Sequence, residues 1–294
     1  MRRLATAFLV LVVLLSIVSF SRIDGRAMQG DSAGLVLVPV SVLDSKNLPV
    51  ATLTKENFQI LEDNKEQQIV QFSGASEPLT LSVVLGMSAS GPVKSPNQRD
   101  RVSVDILGSA DKVRESVAGA SVTQIPFDSD GAFEVVSRAM DELAKKPGAK
   151  KAMVIVTDGL IASGSRANTV TEPKKLLEAS KVSPFAVWML YPTSSLPPPS
   201  FTEGSSYAVG YYLEQAAEFS GGKMVFGQIE NDLSKVATNL RDTVKNLYVL
   251  GYQSANTAKD GKWRKLTVKV SAPDGAKVKA VSYTHLTLPT NREV

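Results

Sequence analysis

Two short segments of this sequence place oxygen-bearing side chains directly after apolar runs. Gly86-Met87-Ser88-Ala89-Ser90 follows the run 79–85, and Thr157-Asp158-Gly159 follows the run 152–156. If both runs are strands of a parallel sheet, these loops leave the edge of the sheet where ligands bind. Hydroxyls and carboxylates at such an edge suit either a hard divalent cation or a serine nucleophile.

The serine nucleophile lacks a base. The segment Gly86-x-Ser88-x-Ser90 differs from the nucleophile elbow Gly-x-Ser-x-Gly in its last residue. The single histidine, His285, lies in a tail that we interpret below as foreign, and no Ser-x-x-Lys motif follows Ser88. The chain has no cysteine, which excludes thiolate chemistry and cysteine-bound metals. We therefore expect no catalytic residues and no enzymatic activity.

The N-terminal segment has the pattern of an export signal. Arg2 and Arg3 precede an apolar run over 4–20, so we interpret 1–27 as a signal peptide or a membrane anchor. This predicts a periplasmic or extracellular protein, either released or tethered to the cytoplasmic membrane. The net charge is +4, but four arginines and one aspartate in the first 30 residues account for three of these charges. The nearly neutral remainder does not predict nucleic-acid binding.

The remaining sequence predicts an α/β fold with a small β unit beside it. Apolar runs typical of buried strands alternate with amphipathic helical segments between 78 and 246, which indicates a mostly parallel, doubly wound sheet. We expect the β unit 34–75, with a hairpin of 58–61 and 67–72, to pack against strands in 247–280 as a sandwich. Within the sheet domain we expect strands over 79–85, 112–117, 121–127, 152–157, 184–190 and 224–226, and helices over 98–108, 132–145, 172–181, 207–219 and 232–246.

Several short motifs outside these loops carry a family resemblance. They are Leu53-Thr54-Lys55-Glu56-Asn57-Phe58, Glu62-Asp63-Asn64-Lys65, Ser220-Gly221-Gly222, Tyr248-Val249-Leu250-Gly251-Tyr252 and Gly261-Lys262-Trp263-Arg264-Lys265-Leu266. With the two strand-end loops, they make the chain resemble the von Willebrand factor type A domains. More closely, the chain is similar to the exported VWFA-related proteins familiar from acidobacteria. The resemblance covers about 34–280 and implies a Rossmann-like fold that binds protein partners.

The resemblance also implies a metal-ion-dependent adhesion site, but the motif is incomplete. That site uses Asp-x-Ser-x-Ser, with a threonine and an aspartate from two further loops. Ser88, Ser90 and Asp158 match it, whereas Gly86 replaces the first aspartate and the middle loop offers no convincing threonine. Two hydroxyls and one carboxylate give little charge to offset dehydration of a cation. We therefore expect a degenerate site without a cofactor, in which Asp128 or Asp130 would be needed to restore Mg²⁺ or Mn²⁺ binding.

The C-terminal tail has an unusual sequence. Residues 281–290 (VSYTHLTLPT) look like one reading frame of a common transposase-type sequencing adapter. We interpret 281–294 as foreign and expect the native chain to continue after Ala280 into a closing strand. The strand-like pattern of the tail favours pairing with the sheet even so.

Three further aromatic features have a packing interpretation and a binding interpretation. Tyr207, Tyr211 and Tyr212 either pack a helix onto the sheet or form a partner surface. We expect Trp188 in the core of the sheet and Trp263 packed in the β unit.

Two functions remain open: an exported, non-enzymatic binding module of adhesion type, and a membrane-tethered structural or assembly factor that uses the same fold as a scaffold.

Overall fold

A computed structural model describes the greater part of the chain after the N-terminal segment. The described residues are 35–86, 108, 110–115, 120–125, 132–157, 171–181, 183–193, 208–229, 231–256, 258, 263–273, 275–282 and 285–287. The predicted signal segment 1–27 and most of the predicted helix 98–108 lie outside them. Within this part of the chain, no helix is both long and apolar enough to cross a membrane.

The chain begins its described fold with four antiparallel strands. They are β1 (Leu35–Asp44), β2 (Phe58–Glu62), β3 (Lys65–Gln67) and β4 (Ile69–Ser73), with a 3-10 turn at Lys55–Asn57 before β2. Strands β2 and β3 form a hairpin whose two loop residues, Asp63 and Asn64, have φ angles of 48° and 65°. Positive φ at both positions is the geometry of a type I′ turn, which matches the twist of the flanking strands.

The predicted second strand of this hairpin, 67–72, is wrong as a single strand. Only Lys65–Gln67 pairs with β2, whereas Ile69–Ser73 pairs with a strand of a different sheet. The chain crosses between sheets at Gln68, so Ile69 points into the sandwich core from the opposite layer. Alternation of apolar residues does not reveal such a crossing, because both halves keep the same period.

The described residues of the α/β region form five parallel strands, four longer helices and a short helical segment at 110–115. The strands are β5 (Thr80–Gly86), β6 (Ser121–Ile125), β7 (Lys151–Thr157), β8 (Ala186–Thr193) and β9 (Met224–Gln228), in the spatial order β6-β5-β7-β8-β9. The helices are α1 (Ala132–Lys145), α2 (Thr171–Lys181), α3 (Ala208–Phe219) and α4 (Leu233–Lys245). Every described strand pair in this sheet is parallel, as the uninterrupted apolar runs predict.

Helices cover both faces of this sheet. Helices α1, α2 and α3 pack on the face that includes Met153, Ile155 and Met189. Helix α4 and the short helical segment 110–115 pack on the other face, which includes Val154 and Trp188. The sheet is therefore buried on both sides, and the doubly wound α/β fold is confirmed.

The predicted strand 112–117 is wrong, because residues 110–115 are helical. Ala110 and Val113 are buried on one side, at the i, i+3 spacing of a helix. Asp111 and Arg114 form an ion pair of 2.9 Å on the exposed side.

The chain returns to the antiparallel region after α4. Strands β10 (Tyr248–Gln253), β11 (Trp263–Val270), β12 (Val278–Val281) and β13 (His285–Thr287) complete two four-stranded sheets. Their orders are β12-β1-β10-β4 and β13-β11-β2-β3. A shared core with residues from both sheets, including Val38, Ile60 and Leu250, joins them into a sandwich.

Candidate functional site

The carboxyl ends of three neighbouring strands lie at the same level of the parallel sheet. Gly86, the last residue of β5, is in register with Ile125 of β6 on one side and with Thr157 of β7 on the other. These three residues end their strands. The three following segments, which carry the candidate residues, therefore start side by side from one edge, which we call the carboxyl edge.

The structure describes only the strand ends of this predicted site. Gly86 is buried and contributes no side-chain oxygen, and Thr157 is buried beside it. The remaining candidates, Ser88, Ser90, Asp128, Asp130 and Asp158, lie outside the described residues. Their positions relative to one another stay a prediction from the sequence.

The described part of this edge supplies no carboxylate to a divalent cation. Magnesium in proteins is bound through carboxylates, and position 86 supplies none. Among the described residues, no group of three His, Cys, Asp or Glu side chains is arranged to hold a metal ion.

The three strand ends are aligned because both faces of the sheet are buried. In β5 and β7 alternate side chains enter opposite cores: Val84 and Ile155 face α1, whereas Val83 and Val154 face the side covered by α4. A shift of one residue would exchange the two faces of a strand and disturb both cores at once. The register that aligns Gly86 with Thr157 is therefore strongly specified by packing.

One buried polar cluster lies in the sandwich, and sequence reasoning did not find it. Glu62 ends β2 and is buried, and its carboxylate accepts hydrogen bonds from the hydroxyls of Tyr252 (2.8 Å) and Ser254 (2.7 Å). The guanidinium of Arg264 donates to the same carboxylate at 3.0 Å and to the carbonyl of Asn256 at 2.6 Å. The alternation of Phe58, Ile60 and Glu62 is a signal for an inward-facing Glu62, but a predicted strand that ends at residue 61 leaves Glu62 in the loop of the hairpin.

A second missed group joins the sandwich to the α/β region. Lys150, just before β7, is buried, and its Nζ donates to the carbonyls of Ala75 (2.6 Å) and Lys245 (2.8 Å). Ala75 follows β4 and Lys245 ends α4. Lys150 thus ties the connection between the two regions to the C-terminus of α4, where unpaired carbonyls favour a cation. Burial lowers the pKa of Lys150 to about 8.

The aromatic candidates differ in how deeply the structure buries them. Tyr212 is half-buried and packs edge-on against Phe133 at 5.8 Å between ring centroids, which favours the packing interpretation of this residue. Tyr207 lies outside the described residues. Trp188 is in the core with 1% of its surface exposed, as expected. The prediction that Trp263 packs inside the β unit is wrong, because 46% of its surface is exposed and Arg264 takes the inward position.

The tail pairs with the sandwich. Val281 ends β12 opposite Ser41 of β1, and His285–Thr287 forms β13 beside β11. His285 therefore stands opposite Lys265, in a different sheet from Gly86.

No protein family matches the chain, and no curated protein is detectably similar to it in sequence. Among solved structures, a von Willebrand factor type A protein from Catenulispora acidiphila is similar, with a TM-score of 0.35 and 8% identity. The similarity covers 88% of this chain and 76% of that one. The α/β fold described above rests on its own strand order, its strand directions and its two helical layers.

Proposed function

We propose that this chain is an exported, non-enzymatic module that binds a protein partner through the carboxyl edge of its parallel sheet. The observation that carries the proposal is the common register of Gly86, Ile125 and Thr157, from which three polar loops start side by side. Such edges are where open α/β sheets bind ligands. Export is proposed from Arg2, Arg3 and the apolar run 4–20.

The proposed edge works without a metal. With Gly86 in place of an acid, Ser88, Ser90 and Asp158 offer one negative charge, which offsets little of the dehydration of Mg²⁺. Docking then depends on shape and on hydrogen bonds from the hydroxyls and the carboxylate. This is a degenerate form of the adhesion site that the sequence resembles.

The absence of catalysis is proposed from the chemistry of the serines. Ser88 and Ser90 need a neighbouring base to attack at neutral pH. The one histidine pairs in the sandwich, opposite Lys265. A fluorophosphonate probe should leave Ser88 unlabelled, whereas labelling at that residue would contradict the proposal.

Calorimetric titration of the chain with Mg²⁺, Mn²⁺ and Ca²⁺ tests the metal-free edge. We expect no saturable heat for the wild type, a gain of binding for Gly86→Asp, and no gain for the uncharged control Gly86→Asn. Saturable binding by the wild type would contradict the degenerate site. Failure of Gly86→Asp to gain binding would show that the loops do not converge as proposed.

A pull-down from the extracytoplasmic fraction tests the binding face. We expect capture of a specific partner that is indifferent to EDTA and is lost when Ser88, Ser90 and Asp158 are replaced together by Ala, Ala and Asn. The control replaces exposed residues of the sandwich, Lys265→Ala and Lys269→Ala, and should retain the partner. Equal capture by both variants would place the interface elsewhere.

A further inference from the structure

A small cavity lies at the other end of the parallel sheet from the carboxyl edge. It has a volume of about 160 Å³ and is lined by Leu43, Asn47, Trp188, Lys223, Val225, Val236, Asn239, Leu240 and Thr243. Trp188 is the third residue of β8, and Lys223 directly precedes β9. Because the strands are parallel, the cavity lies near their amino ends and is separate from the site proposed above.

The side chain of Trp188 is the first observation that favours a binding role for this cavity. Its side chain is 1% exposed, and its indole Nε1 has no hydrogen-bond partner. A buried N–H donor without a partner is costly, and buried tryptophans usually find an acceptor. The unpaired donor thus belongs to a side chain that lines a cavity with room for an acceptor.

The charge of the lining residues is the second observation that favours a binding role. Among the residues that line the cavity, Lys223 is a cation and none is acidic. Lys279 lies close enough to lower the pKa of Lys223 further, in addition to the larger effect of burial. The lining therefore carries one positive charge and no negative charge, with the asparagine amides of Asn47 and Asn239 as additional polar groups.

The backbone that carries Lys223 is held firmly. The amide N–H of Met189 donates to the carbonyl of Lys223 at 3.1 Å. Immediately before it, the N–H of Gly222 donates to the carbonyl of Ala217 at 2.9 Å, which closes the end of α3. The backbone of Lys223 is thus hydrogen-bonded to β8, the strand that carries Trp188, which fixes the distance between the two backbones.

We propose that this cavity binds a small organic carboxylate, with an apolar body against Trp188, Leu43 and Leu240 and its carboxylate near Lys223 and the indole N–H. A volume of about 160 Å³ is close to the roughly 150 Å³ of an apolar protein cavity that holds benzene, which suits one ring or a short chain. It is well below the roughly 300 Å³ at which pockets for drug-sized ligands begin. The apolar walls and the single cation favour a monoanion over a polyanion.

Benzoate and benzamide are a matched pair of probes, since they share size and ring but differ in charge. The chain has two tryptophans, so Trp263→Phe assigns the two indole N–H signals in a ¹H–¹⁵N spectrum. We expect benzoate to shift the Trp188 signal saturably, and benzamide to do so at least tenfold more weakly. Lys223→Met should weaken benzoate binding at least tenfold, because it removes the charged partner of the carboxylate. Lys269→Met, on exposed β11, is the control and should bind as the wild type does.

Three results would overturn the proposal. If benzoate leaves the Trp188 signal unchanged, the cavity holds water only. If benzamide binds as tightly as benzoate, the pocket recognises the ring and not the charge. If Lys223→Met, with the Trp263 signal unchanged and the fold therefore retained, binds benzoate as the wild type does, Lys223 does not hold the carboxylate. None of these results bears on the carboxyl edge, so this proposal and the proposed function fail independently.

Discussion

The guanidinium of Arg264 lies 3.0 Å from the carboxylate of Glu62, and the two side chains are 3% and 2% exposed. These residues are separated by 202 positions in the chain and are brought together by the pairing of β2 with β11. Next to this pair, the carboxylate of Asp63 accepts a hydrogen bond from the amide of Lys265 at 2.9 Å. The sandwich therefore has a polar centre as well as an apolar core.

Breaking this pair from one side should destabilise the sandwich strongly. Arg264→Met leaves the Glu62 carboxylate buried without its cation, and loss of one partner of a buried pair costs about 3–5 kcal/mol. We expect the free energy of unfolding in urea to fall by about this amount. The double variant Glu62→Met with Arg264→Met should regain most of the loss, because no charge then remains buried. Equal losses in the single and double variants would mean that the cost comes from packing and not from charge.

Lys150 should make stability depend on alkaline pH. Its pKa is about 8 in the folded protein, against an ordinary value of 10.5. The unfolded chain therefore binds more protons than the folded one between these values, and stability rises with pH across this window. We expect the difference in unfolding free energy between wild type and Lys150→Met to grow by up to about 3 kcal/mol from pH 8 to pH 10.5.

The comparison of Lys150→Met with the wild type removes the contributions of other titrating groups. Lys269→Met is a second control, since the side chain of Lys269 is exposed on β11. Unfolding by urea at fixed temperature, repeated at each pH, gives the difference directly. A flat difference would show that Lys150 keeps an ordinary pKa in the folded protein, and a difference that falls with pH would show that its pKa is raised; either result contradicts the prediction.

The sequence predicts the α/β region well, because its signal is local. Helix α1 has the predicted bounds, and its stripe of Phe133, Val136, Met140 and Leu143 is buried as expected. The polar contacts of Glu62 and Lys150 were missed since their partners lie far along the chain, at Arg264 and at Lys245. The candidate site could be predicted in part. The ends of its strands follow from the apolar runs in the sequence, whereas the alignment of those ends depends on the register between strands that are distant in the chain.

The Ser220-Gly221-Gly222 motif ends α3 and docks it on β8. The N–H groups of Gly221 and Gly222 donate to Glu218 and Ala217, and Gly221 has a φ of 86°, which together form a Schellman motif. The amide of Val187 donates to the Ser220 hydroxyl at 2.9 Å. A Cβ on Gly222 would lie 1.8 Å from the carbonyl oxygen of Val187, so backbone would have to move.

Substitutions at these two glycines should differ in cost. Gly221→Ala carries the conformational penalty of a positive φ, about 1–2 kcal/mol. Gly222→Ala instead creates the clash with the backbone of Val187, and we expect a loss above about 2 kcal/mol, in the range of overpacked sites. Thermal unfolding of both variants measures the ranking. A Gly222→Ala protein as stable as Gly221→Ala would contradict the close approach to Val187.

At the hairpin turn Asp63-Asn64, in contrast to Gly221 and Gly222, we expect a substitution to glycine to preserve or raise the stability of the protein. Asn64 has a φ of 65°, a conformation that glycine adopts at no steric cost and β-branched residues avoid. We expect Asn64→Gly to be neutral or slightly stabilising and Asn64→Val to cost about 1–2 kcal/mol in urea unfolding. Asp63→Gly is the informative comparison, because it keeps the turn geometry but removes the acceptor of the Lys265 amide at 2.9 Å. Asp63→Gly should therefore lower the free energy of unfolding by about 1 kcal/mol, whereas Asn64→Gly should not lower it. Equal stabilities of the two glycine variants would show that this hydrogen bond contributes nothing to the hairpin.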